Sequence, residues 1–196
     1  MYSVPITDPR RISMPPRETC CCFTGHRKLP WPLCEQLAQR LDLEIAWLAE
    51  HGCTNFIAGG ALGFDTIAAE AVLRARKNDP DIRLYLFLPS PVQTSGWAWD
   101  DCERYQDICD AADAVHVLGT NNSAGCMMQR NRAMVDASAY VIAYYDPATQ
   151  KPGVPLHGGT FRTIEYACSK RVPVTNLHDV SPDELPFRPE WYEPED

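Results

Sequence analysis

Short apolar runs alternate along this chain with stretches in which apolar residues recur every three or four positions. An unbroken apolar run predicts a buried strand, and the three-to-four spacing predicts a helix that packs one face on a sheet. The predicted strands are 19–23, 56–58, 82–88, 114–118, 140–145 and 172–175. A predicted helix follows each of these strands except the last.

This alternation of strands and helices predicts the α/β class, with an open, mostly parallel sheet in a single domain. Residues 19–180 make up the predicted domain. Residues 1–18 carry prolines and arginines without periodicity, so a flexible arm is predicted there. Residues 181–196 are acidic and are predicted to form a tail.

The segment 54–70, TNFIAGGALGFDTIAAE, predicts a strand, a glycine turn and a helix. Glycines let another group approach the main chain closely, and the helix behind them presents unpaired N–H groups that suit a phosphate. Ala58 stands where the first glycine of G-x-G-x-x-G belongs. The sequence also lacks an acidic residue after the next strand and a Walker lysine after the turn, which disfavours an ordinary NAD site. A phosphate site and a simple packing turn both remain open.

Right-handed crossovers place every strand-to-helix turn of a parallel sheet at its carboxyl edge. Open sheets bind ligands at that edge, near the switch in strand order. We therefore expect the turns of this chain to form one site. Its candidate ligand-binding residues are Thr24, Gly25, His26, Arg27, Gly59, Gly60, Gly63, Asp65, Trp97, Arg132, Gly158, Gly159 and Thr160.

Several arginines fall in these turns or in the helices that follow them. Arg130 and Arg162 join Arg27 and Arg132 in offering charge-assisted contacts to a phosphate. The alternative is that these arginines pair with the surplus carboxylates of the chain. Asp65, in the first turn of its helix, either hydrogen-bonds ribose hydroxyls or only stabilises the helix dipole.

Two aromatic and two histidine positions complete the candidates. Trp97 is the residue best suited to stack on a base, whereas Trp99 falls on an apolar helical face and is expected in the core. His26 follows a glycine at the sheet edge, which makes it a candidate ligand contact or proton donor. His116 lies inside a strand and is expected to be buried.

The chain of 196 residues carries a formal net charge of −8. This charge disfavours a general binder of nucleic acids or membrane surfaces, since those partners attract a positive field. Because no apolar run spans a bilayer and no signal peptide opens the chain, a cytoplasmic protein is predicted. The nine cysteines lack metal-ligand spacing, so we expect reduced thiols, no metal and no required cofactor. A homo-oligomer is left open.

Four motifs resemble the YpsA-like family of the SLOG superfamily, which joins DNA-processing protein A with the Lonely Guy phosphoribohydrolases. They are FTGHR at 23–27, AGGALGFD at 58–65, RNRAMVDAS at 130–138 and HGGT at 157–160. The resemblance implies a Rossmann-like sheet with helices on both faces. It also implies a nucleotide-type ligand site, lined by the glycines of these motifs together with His26, Arg27, Asp65, Arg130 and Thr160.

The chain is similar to the phosphoribohydrolase branch in a further respect. That branch has a glutamate six residues after the second glycine of P-G-G-x-G-T-x-x-E, and Glu165 follows Gly159 at this spacing. Its M-H-x-R-K motif is echoed by Met127 and Arg130. The sequence departs from these patterns at Met128, Asn131, His157, Phe161 and Arg162.

Three functions follow as hypotheses. The first is binding of a small nucleotide or nucleotide-derived ligand of the ADP-ribose type, for sensing or regulation. The second is cleavage of the N-glycosidic bond of a nucleoside monophosphate, with Arg130 orienting the phosphate or sugar. Glu165 would then stabilise the developing charge or activate water as the catalytic carboxylate. The third and weakest is single-stranded DNA binding, which the acidic balance and the lack of a basic stripe disfavour.

Overall fold

The computed structural model describes residues 14–149 and 157–179. This part of the chain contains six strands, β1 (Cys20–Gly25), β2 (Asn55–Ala58), β3 (Arg83–Leu88), β4 (Ala114–Val117), β5 (Tyr140–Tyr144) and β6 (Val174–Asn176). It also contains five α-helices, α1 (Trp31–Glu50), α2 (Phe64–Ala75), α3 (Trp99–Ala111), α4 (Ala124–Asp136) and α5 (Gly159–Ser169). The strand–helix alternation predicted from the hydrophobic pattern is confirmed.

The six strands form one sheet in the order β4-β3-β2-β1-β5-β6, and all neighbouring strands are parallel. The chain builds one half outward from β1 to β4 and then crosses back to place β5 on the other side of β1. The switch in strand order therefore lies between β1 and β5. This is the Rossmann-like, open, parallel α/β sheet that was predicted.

Helices cover both faces of the sheet. Cys21 and Phe23 of β1 belong to the core layer that also contains residues of α1, α2 and α3. Their neighbours Cys20 and Cys22 belong to the second layer, which contains residues of α4 and α5. Alternate residues of a strand point to opposite faces, so a continuous apolar run is needed to supply both layers.

Helix α1 has sequence signals at both of its ends and along its buried face. Pro30 is its N-cap and Pro32 lies in its first turn, where the missing N–H of proline costs nothing. Its buried residues Leu37, Leu41, Ile45 and Leu48 recur at helical spacing and pack in the first core layer. The helix ends before Gly52, which has a φ of +86°, as the residue after a helix C-cap often does.

The structure differs from the sequence-based expectations in several places, among them the last strand, which spans Val174–Asn176 where 172–175 was predicted. Strand β1 continues through Thr24 and Gly25, because both residues still pair with β5. The polar segment 119–125, with glycine at each end, predicts a turn, but helix α4 already begins at Ala124 because the Ser123 side chain accepts a hydrogen bond from the Cys126 N–H at 3.2 Å. Trp99 is 64% exposed, so its expected place in the core was wrong.

The predicted arm and tail fall largely outside the described residues. Within the arm, Met14 packs against the second core layer and Arg17–Thr19 form a short 3-10 helix. The predicted tail, 181–196, lies wholly outside. In the described part of the chain, no helix has the length and apolar character that crossing a bilayer requires. All nine cysteines are free, and Cys20–Cys22 of β1 are fully buried.

Candidate functional site

An open cavity of about 480 Å³ lies at the carboxyl end of β1, where the strand order switches. It is bounded by the loop after β1, the start of α2, the first turns of α4 and the start of α5. The described residues that line it are Phe23, Thr24, Gly25, His26, Arg27, Ala61, Asp65, Ala124, Met127, Met128, Arg130, Asn131, His157, Gly158, Gly159, Thr160 and Arg162. The loop after β1 and the starts of α2, α4 and α5 were expected to converge at this edge, and they are brought together.

The loop after β1 is held against the start of α2 by two glycines. A Cβ atom on Gly25 would lie 2.5 Å from the Phe64 side chain. Gly63 has a φ of +78°, and a Cβ there would lie 2.5 Å from the carbonyl oxygens of His26 and Arg27. The Phe64 N–H donates to the His26 carbonyl at 3.0 Å. Only glycine permits this close approach of two main-chain segments.

His26 ties the same loop to the end of β5. Its Nε2 atom accepts a hydrogen bond from the Asp146 N–H at 2.9 Å, so the ring proton of the neutral imidazole belongs on Nδ1. The ring also contacts Tyr145, with 5.3 Å between ring centroids. Burial lowers the pKa of His26, which favours this neutral form. His26 therefore lines the cavity as a neutral hydrogen-bonding group.

Arg130 is the most deeply enclosed cation of the cavity, with 4% of its surface exposed. Its Nη1 atom donates to the carbonyl oxygens of Gly59 and Phe87, the latter at 3.1 Å. Its Nε atom donates to Asn131 Oδ1 at 2.7 Å. Burial lowers the pKa of Arg130, and the nearby Asp65 carboxylate opposes that shift. Arg130 thus links β2, β3 and α4 from within the protein while one side of it faces the cavity.

Asp65 faces Arg130 in the same enclosed part of the cavity. Its side chain is 6% exposed, and its Oδ2 atom accepts a hydrogen bond of 3.4 Å from the Ala61 N–H. Burial raises the pKa of Asp65, and the Arg130 guanidinium opposes this rise. The position in the first turn of α2 also suits a carboxylate. The attraction between the Asp65 carboxylate and the Arg130 guanidinium therefore offsets only part of the cost of burying the two charged groups.

Gly59 and Gly60 pack beneath the cavity instead of lining it. A Cβ on Gly59 would collide with the Arg130 guanidinium and lie 2.6 Å from Asp65 Oδ2. Gly60 has a φ of +63°, and its carbonyl accepts from the Gln93 side chain, which also donates to the Gly59 carbonyl at 3.3 Å. These glycines let protein groups approach the main chain, so their direct contact with a ligand stays a prediction.

The start of α5 is open by contrast. Gly158 is its N-cap, with a φ of +104°, and among the described residues no neighbouring element places an atom within 4 Å of a Cβ on Gly158 or Gly159. Thr160 Oγ1 donates to the Gly25 carbonyl at 2.9 Å, which anchors the helix to β1. Asn131 Nδ2 donates to Thr163 Oγ1 at 2.8 Å, which anchors it to α4. The first N–H groups of α5 are therefore presented at the cavity by a firmly held helix.

Two exposed arginines stand at the rim near α5. Arg27 and Arg162 both line the cavity and are exposed to solvent. Arg27 Nη2 donates to Met127 Sδ at 3.2 Å, so it also contacts α4. Their positive charge adds to that of the helix N-terminus. This rim suits an anionic group.

Other predicted site residues lie elsewhere. Trp97 packs edge-on against Tyr105, at 5.5 Å between ring centroids, on the margin of the core. Arg132 lies over the Tyr166 ring at 5.3 Å, on the outer side of α4. Glu165 is exposed on α5, and neither it nor Gly63 is among the described residues of the cavity wall. Their binding or catalytic roles stay predictions.

The individual candidate residues left out part of the wall that α4 supplies, although segment 121–132 was expected at this edge. Ala124 and Met128 line the cavity from the first turns of α4. Asn131 also lines it and joins Arg130 to Thr163. Ser123 was the available signal, since serine ahead of a helical stretch is a common N-cap. In the described part of the chain, no cluster of three His, Cys, Asp or Glu residues is arranged to hold a metal.

Fold and cavity together define a Rossmann-like α/β protein with an open site at the switch point of a parallel sheet. The sequence profile of the YspA SLOG family, YpsA, matches residues 22–170. The chain belongs to this family, as the four motifs indicated. It is similar to UPF0398 proteins from Bacillus thuringiensis (strain Al Hakam) and Bacillus cereus (strain Q1). Each is 29% identical over 149 residues, covering 75% of this chain and 77% of the relative.

Two solved structures share the fold. One is DNA processing protein A from Helicobacter pylori, described as having a unique single-stranded DNA binding mode, with a TM-score of 0.54 and 19% identity. The other is DNA processing protein A from Streptococcus pneumoniae, with a TM-score of 0.54 and 18% identity. The matches cover 79% and 81% of this chain but only 63% and 51% of those proteins. At these identities the likeness establishes the fold.

Proposed function

We propose that this protein binds a nucleotide or nucleotide-derived ligand of the ADP-ribose type in the cavity at the carboxyl edge of the sheet. The observation that carries the proposal is the open start of α5, where Gly158 and Gly159 lie on the cavity wall beside Arg27 and Arg162. Unpaired N–H groups at a helix start and guanidinium groups together favour a phosphate. The cavity volume of about 480 Å³ falls within the range of roughly 300–1,000 Å³ usual for small-ligand sites.

Binding for sensing or regulation has more geometric support than turnover. The enzyme hypothesis requires Glu165 at the ligand, but Glu165 is exposed on α5 and lies outside the described cavity wall. It also requires Arg130 to orient the phosphate or sugar. Arg130 already donates to Gly59, Phe87 and Asn131, so much of its hydrogen-bonding capacity is used within the protein.

A thermal-shift panel of nucleoside monophosphates, dinucleotides and ADP-ribose tests binding, followed by calorimetric titration of each probe that stabilises the protein. A ligand at about 100 times its Kd should stabilise the fold by roughly 2.7 kcal/mol. Arg162→Gln should weaken binding at least several-fold with little change in stability, because the side chain is exposed. Arg74→Gln removes an exposed arginine of α2 that pairs with Asp42 instead, and should bind as the wild type does.

The enzyme hypothesis is tested separately by chromatography for free base after incubation with nucleoside monophosphates. The binding proposal expects the nucleotides to remain intact. Release of base that disappears in Glu165→Gln would replace binding alone with phosphoribohydrolase activity. Release unchanged by that substitution would point to a contaminating enzyme.

Single-stranded DNA binding is the second candidate, because the fold matches a DNA processing protein A described by its single-stranded DNA binding mode. The rim arginines Arg27 and Arg162 offer positive charge for a phosphate backbone, although the net charge of the chain is −8. Fluorescence anisotropy with a labelled oligonucleotide over a range of salt concentrations tests this candidate. Salt-sensitive binding of the oligonucleotide without any response to mononucleotides would favour DNA over a small ligand.

A further inference from the structure

The two ends of the cavity differ in electrostatic character. Its exposed end carries Arg27, Arg162 and the start of α5, all of which attract an anion. Its enclosed end carries the buried side chains of Thr24, Asp65 and Arg130. A ligand that enters the cavity therefore meets positive groups first and the buried, oppositely charged pair of Asp65 and Arg130 last.

The Asp65 carboxylate has acceptor capacity to spare. A carboxylate offers about four acceptor positions on its two oxygens. The main-chain N–H groups of Gly59 and Ala61 act on it from the turn, and the Ala61 bond is long at 3.4 Å. Arg130 is close enough to interact electrostatically, but its Nη1 and Nε atoms donate to carbonyl and amide oxygens instead. A buried carboxylate with unused acceptor positions is stabilised when a ligand donates hydrogen bonds to it.

This enclosed end is unsuited to a phosphate. Asp65 and Arg130 carry opposite charges and interact there, so this end has little net charge and a phosphate would add negative charge beside the carboxylate with no further cation to offset it. A pair of neighbouring hydroxyl groups has the opposite properties, since it donates two hydrogen bonds to one carboxylate and brings no charge. The two ends of the cavity thus favour the two polar parts of a ribonucleotide in a fixed direction.

We propose that Asp65 accepts hydrogen bonds from the 2′ and 3′ hydroxyls of a ribose, with the phosphate of the ligand directed toward Gly158 and Gly159. This inference rests on the proposed function and narrows it to ribonucleotides with a free vicinal diol. The site then disfavours deoxyribonucleotides. It also disfavours DNA, in which the 2′ hydroxyl is absent and the 3′ oxygen is part of the backbone.

Calorimetric titration of the full-length wild-type protein tests the inference directly. The probes are the four ribonucleoside 5′-monophosphates, ADP-ribose, and the 2′-deoxy and 3′-deoxy counterparts of those that bind. Loss of either hydroxyl should weaken binding roughly tenfold or more, which is the range for a hydrogen bond to a charged group. Equal affinity for a ribonucleotide and both deoxy counterparts would overturn the inference while leaving the proposed function intact. Failure of every probe to bind would overturn both.

Two matched substitutions separate a ligand contact from a structural role. Asp65→Asn keeps the shape of the side chain but removes its charge, so the preference for the ribonucleotide should fall at least several-fold. Asp42→Asn makes the same change at an exposed site on α1 and should keep the full preference. If a folded Asp65→Asn protein keeps the preference, Asp65 is only the charge partner of Arg130 and the inference is wrong. If Asp65→Asn does not fold, the comparison of wild-type probes still decides.

Discussion

Two glycine turns of this molecule share a local pattern but have different surroundings. The turn before α2 contains Gly59, Gly60 and Gly63, and a Cβ on any of them would meet protein atoms at 2.9 Å or closer. The turn before α5 contains Gly158 and Gly159, where a Cβ would meet nothing within 4 Å in the described part of the chain. Protein groups pack against the first turn, whereas no described residue packs against the second.

Strand order explains the difference. Strand β2 lies between β1 and β3, so the turn after it is surrounded by the β1 loop, by Gln93 and by Arg130 of α4. Strand β5 pairs with the other side of β1, and this switch in strand order leaves a crevice outside the carboxyl ends of the two strands. The comparison teaches that a glycine motif predicts a close approach to the main chain, but not whether protein or ligand makes it.

Removing the Arg130 guanidinium, which packs against the turn before α2, should have the largest effect on stability. Arg130→Met leaves Asp65 as a buried carboxylate without its cation and leaves the Gly59 and Phe87 carbonyls without their donor. The free energy of unfolding should fall by about 3–5 kcal/mol, as expected when one partner of a buried charge pair is removed. Urea unfolding followed by circular dichroism measures this loss. A change below about 1 kcal/mol would mean that the first turn does not depend on Arg130.

Adding a side chain to the first turn comes next. Gly63→Ala forces a Cβ against the His26 and Arg27 carbonyls in a left-handed conformation, which should cost about 2–4 kcal/mol through strain and overpacking. Gly52→Ala is the control, because Gly52 also has a positive φ but open space around it. Its cost should stay near 1–2 kcal/mol in the same unfolding experiment. Equal losses in the two variants would show that strain alone matters.

Adding a side chain to the second turn should separate stability from binding. Gly159→Ala meets open space, so the unfolding free energy should change by no more than about 0.5 kcal/mol. Affinity for the best nucleotide should nevertheless fall several-fold, because the added methyl group stands at the proposed phosphate position. Gly125→Ala, in the first turn of α4 and outside the cavity wall, should leave the affinity unchanged. Unchanged affinity in Gly159→Ala would remove the contrast between the two turns.

The contribution of His26 to the pH dependence of the unfolding free energy should be the smallest of these effects. Its main chain contacts the start of α2 and its ring accepts from Asp146, so it joins the two regions. Since burial lowers its pKa, the unfolded chain takes up the proton first, and stability is lost as pH falls through about 6.5. Burial also lowers the pKa of His116, so His116 adds to the loss of stability as the pH falls. His26→Gln should therefore flatten, but not abolish, the difference in urea stability between pH 5 and pH 7.5.

Much of the fold was predictable because its signals are local. Leu37, Leu41 and Ile45 mark the buried face of α1, and the apolar run of β3 marks a strand covered on both faces. The convergence of Gly25, Asp65 and Gly159 at one edge followed from the rule that parallel sheets have right-handed crossovers. The position of Trp99 did not follow, because helical spacing identifies a face but not where along the helix the core begins.

The sequence by itself determined the alternation of strands and helices, the family and the edge of the sheet that holds the cavity, because periodicity and motif order are properties of the chain alone. Only the tertiary structure decided which glycine turn is filled and which is open. That distinction depends on Arg130, which lies 71 positions along the chain from the Gly59 carbonyl to which it donates. Space and charge at a turn are set by whatever distant side chain the fold brings there, and no local pattern of residues contains that information.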